Sequence, residues 1–416
     1  MSAGPSHPPQ EPLKVMTIFG TRPEAIKMAP VVLRLQADPS AFDVRVTVTA
    51  QHREMLDQVL RHFGLRPDHD LDVMTARQSL TTLTARILEG LERVLTEDRP
   101  DIVLVHGDAT TTLASALAAF YAKVSVGHVE AGLRTHDKYS PWPEEMNRRL
   151  AGGLADLHFA PTARARDNLL RENVPPGAIH VTGNTAIDAL LWTVRDGYRL
   201  SDPALEREVA AAGSVAPGAP GAPAGDRIIL VECHRRENWG EPMVRIYRAL
   251  RRFAGEERGV RLLVSAHLNP EAGEVARREL AGLDNVVLFK PAAYPDWVNL
   301  MARSHLILTD SGGIQEEAPT LGRPVILARE NTERWEAVEA GTVRVVGTSE
   351  EAILAALRAL VHDEAEYRRM TAAANPFGDG RASDRIAGVL LHHFGRAAER
   401  PAAFDPDVPQ RRRSGH

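Results

Sequence analysis

The sequence predicts two doubly wound α/β domains, each built on a parallel sheet with helices on both faces. The chain has 416 residues, too many for one core and suited to two domains of about 150–200 residues each. Short apolar runs typical of buried strands alternate with helix-like segments along almost the whole chain. The alternation stops at the Gly/Pro/Ala-rich stretch Gly213–Gly225 and then restarts, which indicates a surface loop near the domain junction.

The first half of the chain contains short apolar runs that end at turns or polar clusters. The predicted strands are Val15–Phe19, Val44–Val48, Ile102–Val105, Val124–Val129, Leu157–Ala160 and Ala178–Val181. The first predicted helix has Pro23 in its first turn, where a missing N–H leaves no hydrogen bond unmade. Further helices are predicted from His52, over Leu80–Val94 and over Ala109–Ala122.

The second half repeats this alternation after the Gly/Pro/Ala-rich stretch. The predicted strands are Ile228–Val231, Leu262–Ser265, Val286–Phe289, His305–Thr309, Pro324–Leu327 and Val343–Val346. The helices between them are predicted around 241–254, 272–281, 294–303, 313–321 and 350–361. Ligands of doubly wound sheets bind at the carboxyl ends of the strands, so polar clusters at those ends are the candidate site residues.

Composition narrows the class of protein. A net charge of −5 gives no basic footprint, so we expect no nucleic-acid partner. The single cysteine, Cys233, excludes an internal disulfide and a cysteine-based zinc site, and fits a reducing cytosol. No apolar run is long enough to span a membrane, and residues 1–12 lack the apolar core of a signal peptide. We therefore expect a cytoplasmic protein without a membrane partner, with disordered segments at 1–12 and 399–416.

The stretch Leu308–Leu327 has the pattern of a diphosphate-binding turn. An apolar strand leads into Ser311-Gly312-Gly313, where glycines let backbone N–H groups approach an anion before a helix begins. Two carboxylates inside that helix, Glu316 and Glu317, argue against a bare phosphate and suit a nucleotide whose ribose hydroxyls need acceptors. A simple tight turn is an equal alternative for this pattern taken alone.

Polar clusters follow the strands of the first half. Arg22 and Lys27 follow the first strand and are suited to phosphate, although surface exposure is the better explanation for Lys27 taken alone. Asp108, Glu130 and Glu144 follow later strands, and carboxylates sharing one site can act as an acid and a base on a sugar. Asp108 as a helix cap, and Glu144 or its neighbour as ordinary helix-start charge, are the simpler alternatives.

The second half adds cations and a histidine. His234 follows a strand together with two arginines, a composition suited to a diphosphate and to proton transfer, whereas a lone histidine in this position is more often structural. Arg334 is available to the same anion. Histidine spacing gives no metal site, and neither a dinucleotide fingerprint nor a Walker loop occurs. The residues alone thus predict a two-domain enzyme that binds a nucleoside diphosphate derivative.

Several ordered strings resemble one known family. They include FGTRPEAIKMAP, VHGDATTTLASALAAFY, GHVEAGLRT, PWPEEMNRRL, VTGNTAID, HRRENWGEP and LTDSGGIQEEAPTLGRPV. The resemblance runs in order from about residue 14 to 375 and is to the non-hydrolysing UDP-N-acetylglucosamine 2-epimerases. The chain departs from the usual family pattern at Glu232-Cys233, Ser265-Ala266 and Trp335, beside the catalytic set.

The resemblance implies a glycosyltransferase-B-type fold with the active site in the interdomain cleft. It implies Rossmann-like domains at 13–188 and 189–375, with a C-terminal helix at about 376–398 that packs back on the first. The implied reaction interconverts UDP-GlcNAc and UDP-ManNAc for cell-surface polysaccharide synthesis, without a metal or other cofactor. UDP is eliminated to give 2-acetamidoglucal and then re-adds. A homodimer is also implied.

The resemblance also implies roles for individual residues. The catalytic positions of the family match Asp108, Glu130, Glu144 and His234. Its UDP contacts match Arg22, Lys27, Ser311, Gly312, Gly313, Glu317 and Arg334, with Glu317 on the ribose. A second, allosteric UDP-GlcNAc site of some bacterial members matches Gln51, Arg236 and His267. Three other functions remain open: a hydrolysing epimerase that releases ManNAc and UDP, a retaining glycosyltransferase of the same fold, and a catalytically silent UDP-sugar-binding protein.

Overall fold

The computed structural model describes residues 11–50, 53–75, 78–212, 225–266 and 270–408. The chain divides into two compact units, one formed by Met1–Ala189 with Gly378–Phe404 and the other by Leu190–Phe377 with Asp405–His416. The predicted loop Gly213–Gly225 lies outside the described residues except for its last glycine.

The first unit contains a seven-stranded, entirely parallel sheet. Its strands are β1 Leu13–Phe19, β2 Phe42–Val48, β3 His69–Asp70, β4 Ile102–His106, β5 Ser125–Val129, β6 Leu157–Ala160 and β7 Ile179–Val181. They lie in the order β3-β2-β1-β4-β5-β6-β7. The central strand β4 is buried along its whole length, as expected for a sheet covered by helices on both faces. The helices are α1 Arg22–Gln36, α2 Arg53–Phe63, α3 Leu80–Asp98, α4 Thr110–Tyr121, α5 Glu144–Leu154, α6 Ala163–Arg171 and α7 Thr185–Thr193.

The second unit contains a six-stranded parallel sheet of the same kind. Its strands are β8 Arg227–Glu232, β9 Val260–Ser265, β10 Val286–Phe289, β11 Leu306–Thr309, β12 Val325–Leu327 and β13 Val343–Val345. They lie in the order β10-β9-β8-β11-β12-β13. The helices are α8 Pro203–Ala212, α9 Glu241–Glu256, α10 Pro270–Glu279, α11 Tyr294–Arg303, α12 Gly312–Glu317, α13 Trp335–Glu339, α14 Glu350–His362 and α15 Glu364–Ala372.

The ends of the predicted strands lie within two residues of the strand ends in the structure. Strand β3 was missed because two residues are too few to show a strand pattern. The helix predicted over 313–321 is divided: α12 ends at Glu317, and a short 3₁₀ turn, Ala318–Leu321, follows it. Pro319 lies in that turn and cannot donate the backbone hydrogen bond that would continue an α-helix.

The C-terminal part of the chain packs on the first unit. The last helix, α16 Ala382–His393, contacts α1 through an ion pair in which the Nε of Arg34 lies 2.7 Å from Asp384. Beyond it, the N–H of Phe404 donates to the carbonyl of Val181 at 2.8 Å, and its ring is buried. The prediction of disorder from 399 onward is therefore wrong for 399–408, because the buried ring of Phe404 and a hydrogen bond of 2.7 Å from Arg400 to the carbonyl of Ile179 hold this polar and proline-rich segment in place. Residues 409–416 lie outside the described residues.

Among the helices of the described residues, none is both long and apolar enough to cross a membrane.

Candidate active site

The turn after β1 is organised by a buried carboxylate. The N–H groups of Gly20 and Thr21 donate to Oε2 of Glu24, at 3.2 and 2.8 Å. Burial raises the pKa of Glu24 to about 7, against the lowering effect of these hydrogen bonds. This turn delivers Arg22 as the first residue of α1, and Lys27 lies further along the same helix.

A cluster at the carboxyl ends of β4 and β5, here called the Glu130 cluster, consists of Lys27, His106, Glu130 and Asn184. Lys27 forms an ion pair with Oε2 of Glu130, and Nδ2 of Asn184 donates to the same oxygen at 2.8 Å. Nε2 of His106 lies 3.8 Å from it. Glu130 itself has a φ of 61°, a left-handed conformation that costs a non-glycine residue energy and is often found at functional sites.

The neighbours of Glu130 determine its ionisation. Burial alone would raise the pKa of the Glu130 carboxyl, but the charge of Lys27, together with His106 and Asn184, holds it well below its usual range. Burial lowers the pKa of His106 to about 4, so this imidazole is neutral at physiological pH. Both of its ring nitrogens are buried without a hydrogen-bond partner among the described residues. The cluster therefore contains a carboxylate that stays ionised near a neutral histidine.

Asp108 belongs to a second group, tied to the start of α5. Its Oδ2 accepts from Nε of Arg148 at 2.9 Å, and its carbonyl accepts from Nδ2 of Asn147 at 2.8 Å. Arg148 also lies 3.3 Å from Glu145, which is fully buried and accepts from the N–H of Thr135 at 3.0 Å. These contacts hold α5 against the turn that follows β4.

Glu144, the first residue of α5, lies beside this group. Its Oε2 is buried and has no hydrogen-bond partner within the described residues. A buried oxygen of this kind is costly unless something binds it, so it is a candidate contact for a substrate.

The structure decides between alternatives that the sequence left open in this unit. Asp108 does not cap α4, because Ala109 occupies the N-cap and the Asp108 side chain binds Arg148. Lys27 is part-buried rather than an exposed surface lysine, and its cation contacts Glu130. Glu145 is not ordinary helix-start charge either, because it is fully buried and accepts backbone hydrogen bonds.

In the second unit, a fully buried carboxylate holds the loop after β8. Asp310, which follows β11, accepts from the N–H of His234 at 3.0 Å and of Arg235 at 3.0 Å. It also accepts from Nδ2 of Asn238 at 2.9 Å. Nδ1 of the half-buried His234 lies 3.6 Å from Glu232 and 4.0 Å from Asp310. His234 is therefore held through its backbone and surrounded by carboxylates.

The Ser311-Gly312-Gly313 turn lies under the guanidinium of Arg334. A Cβ built on Gly312 would lie 2.7 Å from NH1 of Arg334, so only glycine fits there without displacing it. Nε of Arg334 donates to Glu316 at 2.6 Å. The structure thus brings Arg334 and this turn together, as a common anion site requires. Glu316 forms an ion pair with Arg334. Glu317, the next carboxylate along α12, is partly exposed.

The positions matched to an allosteric site are only partly described. Arg236 lies exposed in a short 3₁₀ helix after β8. Gln51 and His267 lie outside the described residues.

Sequence reasoning did not assign functional roles to four residues that contact the candidate catalytic groups. They are His106, Arg148, Asn184 and Asp310. Each belongs to a string or polar cluster already singled out, so a signal was present, but no sequence pattern shows which side chain contacts which. In the described part of the chain, no group of three or more His, Cys, Asp or Glu side chains is arranged to hold a metal ion.

Comparison with known proteins identifies relatives along most of the chain. A family model described as UDP-N-acetylglucosamine 2-epimerase matches residues 34–391. The UDP-N-acetylglucosamine 2-epimerases of Bacillus subtilis and Salmonella typhimurium are 53% and 54% identical, over 94% and 91% of this chain and 98% of each relative. The solved structure of the UDP-GlcNAc 2-epimerase of Neisseria meningitidis, bound to UDP-GlcNAc, is 46% identical with a TM-score of 0.79, and the match covers 91% of this chain and all of that one. The two parallel-sheet units and this structural likeness confirm the predicted fold class.

Proposed function

The chain belongs to the UDP-N-acetylglucosamine 2-epimerase family, and we propose that it interconverts UDP-GlcNAc and UDP-ManNAc by elimination and re-addition of UDP. The observation that carries this proposal is identity above 50% over more than nine-tenths of the curated relatives and of this chain. The geometry of the two units adds candidates for each chemical task.

The first unit supplies the proton-transfer groups. Glu130 is assigned to remove the proton from C2, because Lys27 keeps this carboxylate ionised and therefore able to accept a proton. The electron pair of the C2–H bond then forms the C1=C2 bond of 2-acetamidoglucal as the C1–O bond breaks and UDP leaves with that bonding pair. On return, a UDP oxygen attacks C1 while a proton reaches the opposite face of C2, which inverts that carbon. Asp108 and Glu144 are the candidates to deliver this second proton.

The second unit holds the leaving group in this proposal. The Ser311-Gly312-Gly313 turn and Arg334 bind the diphosphate, and Glu317 binds the ribose hydroxyls. Arg22 is also assigned to UDP, as a further cation. His234, fixed by Asp310, stabilises the charge that develops on UDP or carries a proton to it. We assign Lys27 chiefly to Glu130 and only secondarily to UDP, since Lys27 and Glu130 form an ion pair.

The proposal includes three further properties that the sequence and its family resemblance imply. They are a homodimeric state, a cytoplasmic location and a second UDP-GlcNAc site at Gln51, Arg236 and His267. Light scattering of the purified protein tests the first of these. The dependence of the initial rate of UDP-ManNAc epimerisation on added UDP-GlcNAc tests the third.

A deuterium-exchange experiment tests the reaction. Purified protein with UDP-GlcNAc in deuterated water should give UDP-ManNAc that carries deuterium at C2, and the remaining UDP-GlcNAc should acquire it too. The absence of both product and C2 exchange would contradict the proposal. Free ManNAc released in step with UDP would instead identify a hydrolysing epimerase, and a new glycoside formed only with an added acceptor would identify a glycosyltransferase.

A further inference from the structure

Asn184 belongs to the Glu130 cluster, and the proposed reaction gives its side chain no role yet. It lies between β7 and α7, one residue before the first residue of that helix. Its side chain is buried, and it contacts two groups at once. Oδ1 accepts from the N–H of Ala186 at 3.0 Å, and Nδ2 donates to Oε2 of Glu130 at 2.8 Å.

The helix start fixes the orientation of this amide. A backbone N–H can only donate, so the atom facing Ala186 must be the amide oxygen, and the NH₂ group then faces Glu130. Asparagine at the start of a helix is common because its oxygen accepts a backbone N–H there, and aspartate serves this purpose equally well. Only asparagine, however, also presents a donor to a neighbouring carboxylate.

Both donors to Glu130 bind the same oxygen. Lys27 and Asn184 each contact Oε2, and no hydrogen bond from the described residues reaches Oε1. Oε1 faces Gly107, where even an added Cβ would lie 3.6 Å away, an ordinary van der Waals contact. The carboxylate is thus anchored at one oxygen and keeps the other for a proton.

We propose that Asn184 is a positioning residue that uses the start of α7 to aim a hydrogen-bond donor at Glu130, keeping this carboxylate ionised and its Oε1 available to the substrate. The proposed role of Asn184 rests on the proposed function in one respect only, namely that the proton accepted by Glu130 comes from C2 of the substrate. The other charged or titratable groups around Glu130 are Lys27 from α1 and His106 from β4, with Asp108 in the adjoining turn.

The substitution Asn184→Asp separates this role from helix capping. The new carboxylate would still accept from the N–H of Ala186, so α7 keeps its cap. Toward Glu130 it would present a second carboxylate oxygen in place of a donor, and two carboxylates in contact cannot both ionise freely. We expect the acid limb of the pH profile of kcat/KM to move up by about one pH unit or more, and kcat to fall about tenfold at a pH one unit below the new limb, where most of Glu130 is protonated.

Two further variants serve as references. Asn184→Ala removes both contacts, so it should lower both kcat and the thermal midpoint. Asn173→Asp adds the same charge to the first unit at an exposed residue with a φ of 63°, which aspartate tolerates as asparagine does. Asn173→Asp should have the pH profile of the unsubstituted protein. If Asn184→Asp has that profile too, with near-normal kcat, Asn184 only caps α7 and the proposal is wrong.

A titration that needs no turnover keeps this test independent of the reaction. The Glu130 carboxyl can be followed by ¹³C NMR in protein labelled at the glutamate side-chain carboxyl carbon, with Glu130→Gln identifying its signal. In the unsubstituted protein this signal should remain that of an ionised carboxylate down to pH 5, and in Asn184→Asp it should titrate at higher pH. Identical titrations would overturn the proposal even if the protein turns over, whereas a shifted titration without C2 exchange would overturn only the proposed function.

Discussion

In the first unit Glu130 meets the side chains of Lys27 and Asn184, whereas in the second unit Asp310 meets chiefly the backbone N–H groups of His234 and Arg235. Both carboxylates follow a parallel strand and both are buried. A carboxylate that contacts a cation has its ionisation set by that cation. A carboxylate that binds successive backbone N–H groups sets the shape of a loop instead. The contacts in the first unit thus set the ionisation of Glu130, whereas Asp310 in the second unit sets the shape of the loop that carries His234.

The largest effect is expected from Asp310→Ala, which tests whether Asp310 sets the shape of the loop after β8. Three donors, from His234, Arg235 and Asn238, would lose a buried acceptor. An unsatisfied buried donor costs about 1–3 kcal/mol, so we expect the free energy of unfolding to fall by at least about 3 kcal/mol. Turnover should fall about 1,000-fold as His234 loses its position. Thermal denaturation and kcat measure the two effects.

Asp284→Ala is the matched control, because Asp284 is an exposed aspartate of the same unit. It should leave both quantities near their original values. Near-normal turnover in Asp310→Ala would show that the loop after β8 holds His234 without this carboxylate.

Lys27→Met tests whether Lys27 sets the ionisation of Glu130, and kcat at pH 7 should fall about 100-fold. Burial raises the pKa of Glu130 and the cation opposes it, so removing the cation lets the pKa rise. The acid limb of the pH profile should therefore move to higher pH, and activity should recover in part at pH 9. Lys123→Met, at an exposed lysine of the same unit, is the control. A uniform loss at every pH would mean that Lys27 acts on the substrate and not through Glu130.

The two units should also differ in acid stability. Burial lowers the pKa of the strand histidines His106, His158 and His180 to about 4 and that of His128 to about 3, whereas the described part of the second unit has one such histidine, His305, with a pKa of about 4. A histidine with a depressed folded-state pKa binds its proton more readily when unfolded, so stability is full above about pH 6.5 and falls as the pH drops toward 4. At pH 5 each contributes a loss of about 2 kcal/mol.

Hydrogen exchange measured unit by unit at pH 7 and pH 5 checks this prediction. The first unit should lose protection at pH 5 before the second. His158→Gln removes one of the titrating groups and should make the first unit less sensitive to pH. Equal loss of protection in the two units would contradict the proposed difference.

The smallest effect is expected from Gly312→Ala, which tests the geometry of the second unit by adding one carbon atom beside Arg334. Its Cβ would lie 2.7 Å from NH1 of Arg334, so that guanidinium must move. We expect UDP affinity, measured by calorimetry, to fall about tenfold, which corresponds to about 1.4 kcal/mol. Gly255→Ala, in helix α9 with open space around the added carbon, should leave UDP affinity unchanged. Unaltered binding by Gly312→Ala would mean that Arg334 does not contact the diphosphate.

The sequence by itself determined the fold class, most of the strands and the places where chemistry-bearing residues would lie. Buried parallel strands are continuous apolar runs, and their carboxyl ends meet at one edge, so local patterns suffice for these inferences. The pattern also reached the residues that the family resemblance marks as catalytic. Glu130 directly follows a predicted strand, Asp108 and His234 each lie three residues after the end of one, and Glu144 begins the next helix.

Only the tertiary structure decided which of these residues contact each other. Lys27 and Glu130 are 103 residues apart, and Asn184 is 54 residues beyond Glu130. Phe404 orders a C-terminal segment of disorder-like composition by packing beside β7. The ionisation of a carboxylate depends on burial and on the charges within a few ångströms, and the folded chain sets both through contacts that no local pattern records.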